Sequence, residues 1–390
     1  KVKSQAQKPM PLAIATNDAI SPEPVDTERF ANADPNPLKI VTETPVSTFS
    51  IDVDTASYAY VRSSIMGGSL PRPDSVRVEE MINYFPYDYA APKAGDGPFA
   101  STVAVFQTPW NKDTKLVHIG IQGVKPDTES RPPLDLVFLI DTSGSMQDAN
   151  KLPLLKQSFR LLLGRLGPQD RVSIVTYAGS SGVVLAPTDA SDQAAILASL
   201  DRLEAGGSTA GQEGLQLAYA QADKMHGDGR IGRILLATDG DFNVGISDPE
   251  ALKHYVEQKR DGGTYLSVLG FGRGNYNDAL MQALAQNGNG TASYIDTLSE
   301  AQKVLVDQVS GALFPIANDV KIQLEFNPAT VAEYRLIGYE TRTLAREDFN
   351  NDKVDAGDIG AGHTVTAIYE ITPVGSPAIK ADPLRYQDVK

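Results

Sequence analysis

Apolar residues follow two different periods along the chain, and the period changes twice. Between about residues 133 and 315, short apolar runs alternate with stretches in which apolar residues recur every three or four positions. Apolar runs are typical of strands buried on both faces, and the spaced stretches are typical of amphipathic helices. Since strand and helix alternate throughout, this segment is predicted to fold as an α/β domain with a doubly wound, mostly parallel sheet.

On both sides of this segment the period is two. Residues 99–106 and 116–124 alternate around a polar turn and predict a β-hairpin, and residues 319–326, 333–339 and 363–371 predict further strands. The C-terminal strands have no helix to cover them, so they need a partner sheet. We therefore predict that the α/β domain is inserted in a β-sandwich formed by the N- and C-terminal flanks.

Five parts of the chain are expected from these patterns. They are a flexible, Pro-rich N-terminal arm (1–48), an N-terminal flank of helices and a hairpin (49–132), the α/β domain (133–315), a C-terminal β flank (316–372) and a tail (373–390). The last helix of the α/β domain is predicted over residues 299–313.

A helix is also predicted soon after residue 54, in the N-terminal flank. Asp54 or Thr55 would cap it, and Tyr58, Val61 and Ile65 would form its apolar face. The spacing of Asp52 and Asp54 also fits a metal pair. No third oxygen ligand lies nearby in the sequence, which favours capping.

Polar oxygen atoms follow the apolar run 136–140 directly. Asp141, Ser143 and Ser145 lie where open α/β sheets bind ligands, just beyond the carboxyl end of a strand. Carboxylate and hydroxyl donors without His or Cys suit Mg²⁺, Mn²⁺ or Ca²⁺. A serine that only caps the next helix is the alternative.

Two later stretches add donors of the same kind. Thr209 ends a Gly-Gly-Ser-Thr loop, and Asp239 ends a second apolar run; Asp241, next to it, is interpreted as a loop residue. The combination resembles the von Willebrand factor type A domain and its metal-ion-dependent adhesion site. The resemblance implies that Ser143, Ser145 and Thr209 bind the metal directly and that Asp141 and Asp239 act mainly through water. It also implies that an Asp or Glu of a partner protein fills the remaining position.

The sequences of the two flanks resemble a more specific family. Residues 49–62 (FSIDVDTASYAYVR) and 326–340 (FNPATVAEYRLIGYE) look like the bacterial YfbK-like family of von Willebrand A proteins, over most of residues 45–372. This resemblance implies a cell-envelope location, periplasmic or at the cell surface, with a possible lipid tether upstream of residue 1.

Composition limits the class of partner. The formal net charge is −14, which disfavours nucleic acid as a partner, and there is no cysteine. No stretch approaches the roughly 20 apolar residues that span a bilayer. The resemblance to adhesion domains implies that the function is protein binding rather than catalysis.

Two other functions stay open. One is a structural or scaffold subunit whose metal is not essential; the other is a metal-dependent hydrolase. No histidine lies near the five candidate ligands in sequence, and there is no G-x-S-x-G or P-loop motif, which disfavours the enzyme. Residues 348–352 resemble the start of an EF-hand loop, but Lys353 and Ile359 replace its key Gly and Glu, so an acidic surface loop is favoured.

Overall fold

The structure is a computed structural model that describes residues 27–382, except residues 32, 94, 126–130, 210, 241, 243–248, 309–310, 312 and 352. Most of the expected N-terminal arm, the last eight residues of the expected tail and Asp241 therefore lie outside the described residues.

Strands and helices are numbered in chain order. The strands described are β1 (Lys39–Ile40), β2 (Val46–Ser50), β3 (Phe99–Gln107), β4 (Lys115–Gly123), β5 (Leu134–Asp141), β6 (Arg171–Tyr177), β7 (Ser181–Asp189), β8 (Ile231–Thr238), β9 (Thr264–Phe271), β10 (Ala292–Ile295), β11 (Pro315–Glu325), β12 (Val331–Ile337), β13 (Thr343–Leu344), β14 (Gly357–Gly360) and β15 (Thr364–Pro373). The α-helices described are α1 (Ala56–Met66), α2 (Val78–Asn83), α3 (Leu152–Leu163), α4 (Gln193–Asp201), α5 (Gly211–Met225), α6 (Pro249–Asp261), α7 (Asp278–Asn287) and α8 (Leu298–Gln302).

The central sheet has the strand order β10-β9-β8-β5-β6-β7. Neighbouring strands are parallel, except that β7 is antiparallel to β6 at the edge. Each face of β5 packs into its own apolar cluster: Leu136, Phe138 and Ile140 face α3, and Val137 and Leu139 face α5. The predicted α/β fold is confirmed, and β5 owes its continuous apolar run to burial on both faces.

Strands from the two flanks form the other two sheets. Their orders are β1-β12-β15-β4-β3 and β13-β2-β11-β14, so each sheet mixes strands from before and after the central domain. Ile119 of β4 lies opposite Ala367 of β15, and Phe49 of β2 lies opposite Ile322 of β11. Phe49 packs with Tyr369 between the two sheets. The predicted pairing of the flanks is confirmed.

Residues 27–48 differ from the expected flexible arm. Thr27 and Arg29 donate backbone hydrogen bonds to the carbonyls of Gly274 and Tyr276, at 3.0 Å each. Glu28 is buried and accepts hydrogen bonds from Arg273, and strands β1 and β2 follow. Proline-rich composition predicted disorder, but these residues gain fixed partners from segments far away in the sequence.

Helix α1 buries a different face from the one predicted. Ala56, Ala59 and Tyr60 are in the core, whereas Ile65 is exposed. Residues 28–30 cover the Tyr60 side of the helix, because the Tyr60 hydroxyl binds Glu28 and the Phe30 ring packs on its ring. Glu80, rather than Asp54 or Thr55, accepts the hydrogen bond of the Ser57 N–H at the start of the helix, at 2.7 Å.

The helix predicted over residues 299–313 is interrupted. Helix α8 changes at Lys303 into a π-helical turn, Lys303–Asp307. The Lys303 ammonium donates a hydrogen bond to the Tyr84 carbonyl, 2.7 Å away, beside this turn. Apolar spacing alone does not reveal such a change of helical pitch.

Ionic contacts join the central domain to the flanks. Arg77 next to α2 binds Asp278 of α7 at 2.6 Å, and Arg260 of α6 binds Asp355 at 2.7 Å. Asp54 accepts a hydrogen bond from the Ala292 N–H at 2.8 Å. These contacts fix the flanks to the central domain.

Candidate functional site

Asp141 is the last residue of β5, in the middle of the central sheet. It is fully buried, between β6 and β8. Parallel strands bring their carboxyl ends to one edge, so the segments after β5, β6 and β8 meet here. This edge is where the sequence places the candidate ligands.

The first predicted loop is held together by short local bonds. Asp141 Oδ1 accepts a hydrogen bond from the Ser143 N–H at 2.9 Å. The Ser143 and Ser145 Oγ atoms lie 3.0 Å apart, with Ser143 buried and Ser145 exposed. A one-turn 3₁₀ helix, Gly144–Gln147, turns the chain so that both hydroxyls share one side.

Backbone bonds attach the second predicted loop to the first. The Gly144 N–H donates to the Gly207 carbonyl at 3.0 Å, and the Gly206 N–H donates to the Thr142 carbonyl at 2.8 Å. Gly207 has φ +86°, a conformation that favours glycine. Thr209, two residues later, is half-buried. The loop that carries Thr209 is therefore joined to the loop that carries the two serines.

Asp239 follows β8 and is fully buried. Its Oδ2 lies 2.9 Å from the Lys151 ammonium. Thr238, the residue before it, donates a hydrogen bond from its hydroxyl to Asp141 Oδ2 at 3.1 Å and accepts one from the Gly240 N–H. Thr238 thus fixes the orientation of the Asp141 carboxylate.

The two carboxylates interact electrostatically. Burial raises the pKa of the Asp141 carboxyl to about 6, hydrogen bonds from Ser143 oppose the rise, and the nearby charge of Asp239 adds to it. Two acidic groups buried at one edge therefore destabilise each other's charge, and a bound cation would relieve this. The donor set fits a hard divalent cation, since carboxylate and hydroxyl oxygens are the ligands that Mg²⁺ and Ca²⁺ accept.

Within the described part of the chain, no group of three or more His, Cys, Asp or Glu side chains is arranged to hold a metal. A metal at this edge would need hydroxyl ligands in addition to the two carboxylates.

Three further side chains at this edge did not stand out in the sequence. They are Thr238, Lys151 and Asn275, whose Oδ1 lies 3.4 Å from the Lys151 ammonium. Thr238 lies next to a predicted ligand, and its position could have been noticed. Lys151 and Asn275 lie in segments whose sequences contain no motif that indicates a functional site.

The other two candidate metal positions bind cationic side chains instead. Asp52 lies 3.2 Å from Arg342, and its Oδ1 accepts the Asp54 N–H. In the EF-hand-like stretch, the carbonyls of Asp348 and Asn351 accept hydrogen bonds from the Lys321 ammonium.

Comparison with family models divides the chain into three matches. Residues 135–308 match the von Willebrand factor type A domain, residues 24–118 match a family described as von Willebrand factor, and residues 311–390 match the family described as Uncharacterized protein YfbK, C-terminal.

Relatives agree with these matches. Uncharacterized protein YfbK of Escherichia coli is 50% identical over 92% of this chain and 64% of its own length. Inter-alpha-trypsin inhibitor heavy chain H4 of Sus scrofa is 27% identical over 52% of this chain and 22% of its own length. The chain thus spans less than two thirds of the length of either relative.

Two solved structures are similar to parts of this chain. A von Willebrand factor type A protein from Catenulispora acidiphila covers 70% of this chain and 64% of its own, with 18% identity and a TM-score of 0.44. Proximal thread matrix protein 1 of the mussel byssus, with a zinc-occupied MIDAS motif, covers 49% of this chain and 47% of its own, with 22% identity and a TM-score of 0.39.

Across residues 27–382, outside the gaps given above, no helix is both long enough and apolar enough to cross a bilayer.

Proposed function

Because the chain belongs to the YfbK-like von Willebrand factor type A proteins, we propose that it is a divalent-cation-dependent protein-binding module of the bacterial cell envelope. Its relatives of this domain class are chiefly interaction modules rather than enzymes. In the proposed function, a metal at the edge of the central sheet binds an Asp or Glu side chain of a partner protein.

The observation that carries the proposal is the meeting of two buried carboxylates with two neighbouring hydroxyls at one sheet edge. Ser143, Ser145 and Thr209 would hold the cation directly, while Asp141 and Asp239 would act through water. Neutral ligands in the inner shell leave the metal electrophilic, so it would favour a carboxylate as its last ligand. Mg²⁺ is the expected ion, with Mn²⁺ or Ca²⁺ as alternatives.

The proposed location rests on the family, and the proposed class of partner rests on the net charge. The envelope, with a lipid tether upstream of residue 1, is the proposed location. The net charge of −14 favours a protein partner over nucleic acid. A carboxylate partner for so acidic a protein requires the cation as a bridge, which is why we expect binding to depend on the metal.

Metal binding is tested by titrating Mn²⁺ into the protein in a calorimeter. Ser145→Ala and Thr209→Ala remove one candidate ligand each without removing a charge, and Ser191→Ala, at an exposed position, is the matched control. We expect each ligand variant to bind Mn²⁺ at least tenfold more weakly and the control to bind as the wild type does. Equal binding by all four proteins would contradict the proposed site.

Partner binding is tested by capture from a cell-envelope extract. Capture should need Mg²⁺, be lost in EDTA and be lost for Ser145→Ala but not for Ser191→Ala. Capture that is unchanged in EDTA would favour the scaffold function instead. Metal-dependent turnover in a hydrolase screen would favour the enzyme.

A further inference from the structure

Lys151 occupies an unusual position for a lysine. It lies at the start of α3, where the helix dipole disfavours a positive charge. Only 5% of the residue is exposed, whereas lysines are rarely buried unless paired. Neither helix capping nor solvation explains a lysine here, so its contact with Asp239 must account for the placement.

The neighbouring loop is shaped to admit the Lys151 side chain. Gly272, just after β9, has φ +73°, and a Cβ atom there would lie 2.2 Å from Lys151 Cε and 2.6 Å from Cγ. Any other residue at 272 would block the path of the stem. The ammonium ends 2.9 Å from Asp239 Oδ2 and 3.4 Å from Asn275 Oδ1.

We propose that Lys151 is a resident counter-ion that competes with the metal for Asp239. It stabilises the metal-free site, where the buried carboxylates of Asp141 and Asp239 repel each other. It also lowers the affinity of the site for divalent cations, so that the metal is held weakly enough to exchange. This inference rests on the metal site of the proposed function and adds a residue that controls it.

The positive charge of Lys151 decides whether this residue raises or lowers the affinity of the site for a metal. The carboxylates of Asp141 and Asp239 together carry a charge of about −2, and the Lys151 ammonium brings the sum of the three side chains to about −1. In a partly buried setting, an ammonium close to a divalent cation repels it strongly, because little water screens the two charges. Replacing Lys151 also removes a contact that orients the Asp239 carboxylate, and this loss would weaken metal binding. A change of ligand orientation alters affinity by about 10- to 100-fold, and we expect it to be smaller than the gain from removing the repulsion.

The test measures Mn²⁺ affinity and metal-free stability in two neutral variants, Lys151→Met and Lys151→Gln. The Gln variant keeps a hydrogen-bond donor for Asp239. Lys156→Met is the matched control, because Lys156 lies on the same helix and its ammonium binds the carbonyls of Asp201 and Leu203. Affinity is measured by calorimetry, and the melting temperature is measured in EDTA and in saturating Mn²⁺.

We expect both neutral variants to bind Mn²⁺ at least fivefold more tightly than the wild type. In EDTA they should melt at lower temperature, and saturating Mn²⁺ should restore most of the loss. Lys156→Met should bind Mn²⁺ as the wild type does, and Mn²⁺ should not restore any stability that this variant loses with its hydrogen bonds to Asp201 and Leu203. A variant that folds only with Mn²⁺ present would also support the counter-ion role.

In an Asp239→Asn background, Lys151→Gln should tighten binding less than it does in the wild type, because the ammonium then has no carboxylate to compete for and only its repulsion of the metal is removed.

Failure of the inference and failure of the proposed function look different. If the wild type binds Mn²⁺, Ser145→Ala binds it at least tenfold more weakly, and the Lys151 variants bind as the wild type or more weakly, the competition is wrong and the metal site stands. If the wild type does not bind Mn²⁺, or Ser145→Ala binds it equally well, the metal site itself is wrong.

Discussion

Gly240 shows how tightly single residues define the candidate site. It follows Asp239 with φ +99°, and a Cβ atom there would lie 2.5 Å from the Asn277 nitrogen and 2.6 Å from Tyr276 Cα. Both contacts are with backbone atoms, which do not move aside as a side chain can. The loop after β8 therefore passes directly against the loop before α7.

Gly240→Ala should lower the free energy of unfolding by about 2 kcal/mol or more, because it adds backbone strain to a steric clash. Gly206→Ala is the control: it lies in the neighbouring loop, has no positive φ and has open space at its Cβ position. We expect its effect to stay within about 0.5 kcal/mol. Urea denaturation of both variants gives the comparison, and equal stability would contradict the close contact.

Residues whose chemistry is local could be predicted from the sequence. Asp141, Ser143 and Ser145 stand directly after an apolar run, and their clustering at the end of a strand is confirmed. Lys151 could not be predicted, since its role depends on Gly272, 121 positions later. The role of all five candidates as metal ligands stays a prediction.

The hairpin β3–β4 shows that local sequence patterns predict a strand but not everything that packs against it. Alternation predicted both strands, and their pairing is confirmed, with Val105 opposite Val117. The two valines share a face of the sheet, but Val117 is 7% exposed and Val105 is 56% exposed. The four-stranded sheet covers Val117 of β4 and does not reach Val105 of β3. Alternation shows which face is apolar and does not show how far the partner sheet extends.

Val117→Ala should therefore cost about 2 kcal/mol of folding free energy, through lost burial and a cavity. Val105→Ala, directly opposite, should cost no more than about 0.5 kcal/mol, which is the difference in strand preference. Thermal or urea unfolding of the two variants tests the packing of the sandwich. Equal costs for the two substitutions would show that the two sheets do not pack as described.

Across the whole molecule, charged groups meet where the sandwich touches the central domain. Burial raises the pKa of the Asp358 carboxyl on β14 to about 7. The charges of Asp319 and Asp355 add to the rise, and Arg233 of β8 opposes it. His363 lines the same small cavity, and burial together with Arg233 lowers its pKa to about 4. His363 is thus neutral when Asp358 titrates.

Asp358→Asn should change how stability depends on pH. A raised carboxyl pKa in the folded state means that the wild type is favoured at low pH and loses stability as pH rises from the unfolded pKa of about 4 through about 7. Between pH 5 and pH 8, the variant should gain on the order of 2 kcal/mol relative to the wild type. Asn keeps an oxygen for the Asp319 N–H, so the fold has no reason to change. Melting curves that run parallel at all pH values would contradict the prediction.

The overall plan was predictable because each flank leaves apolar strands that need covering. The packing of residues 27–48 was not, because nothing local distinguishes a proline-rich segment that finds partners from one that does not. Glu28 shows the difference: its partners Tyr60 and Arg273 lie 32 and 245 positions away.

The contact of Glu28 with Arg273 has a mechanical consequence. Thr27 and Glu28 attach to Arg273 and Gly274, in the same short loop that brings Gly272 against Lys151. Any tension transmitted along the chain from upstream would therefore reach this loop before it reached the core. A load applied to that end would then act on the loop that holds Lys151 beside Asp239, so the load would be coupled to the affinity of the site for a metal.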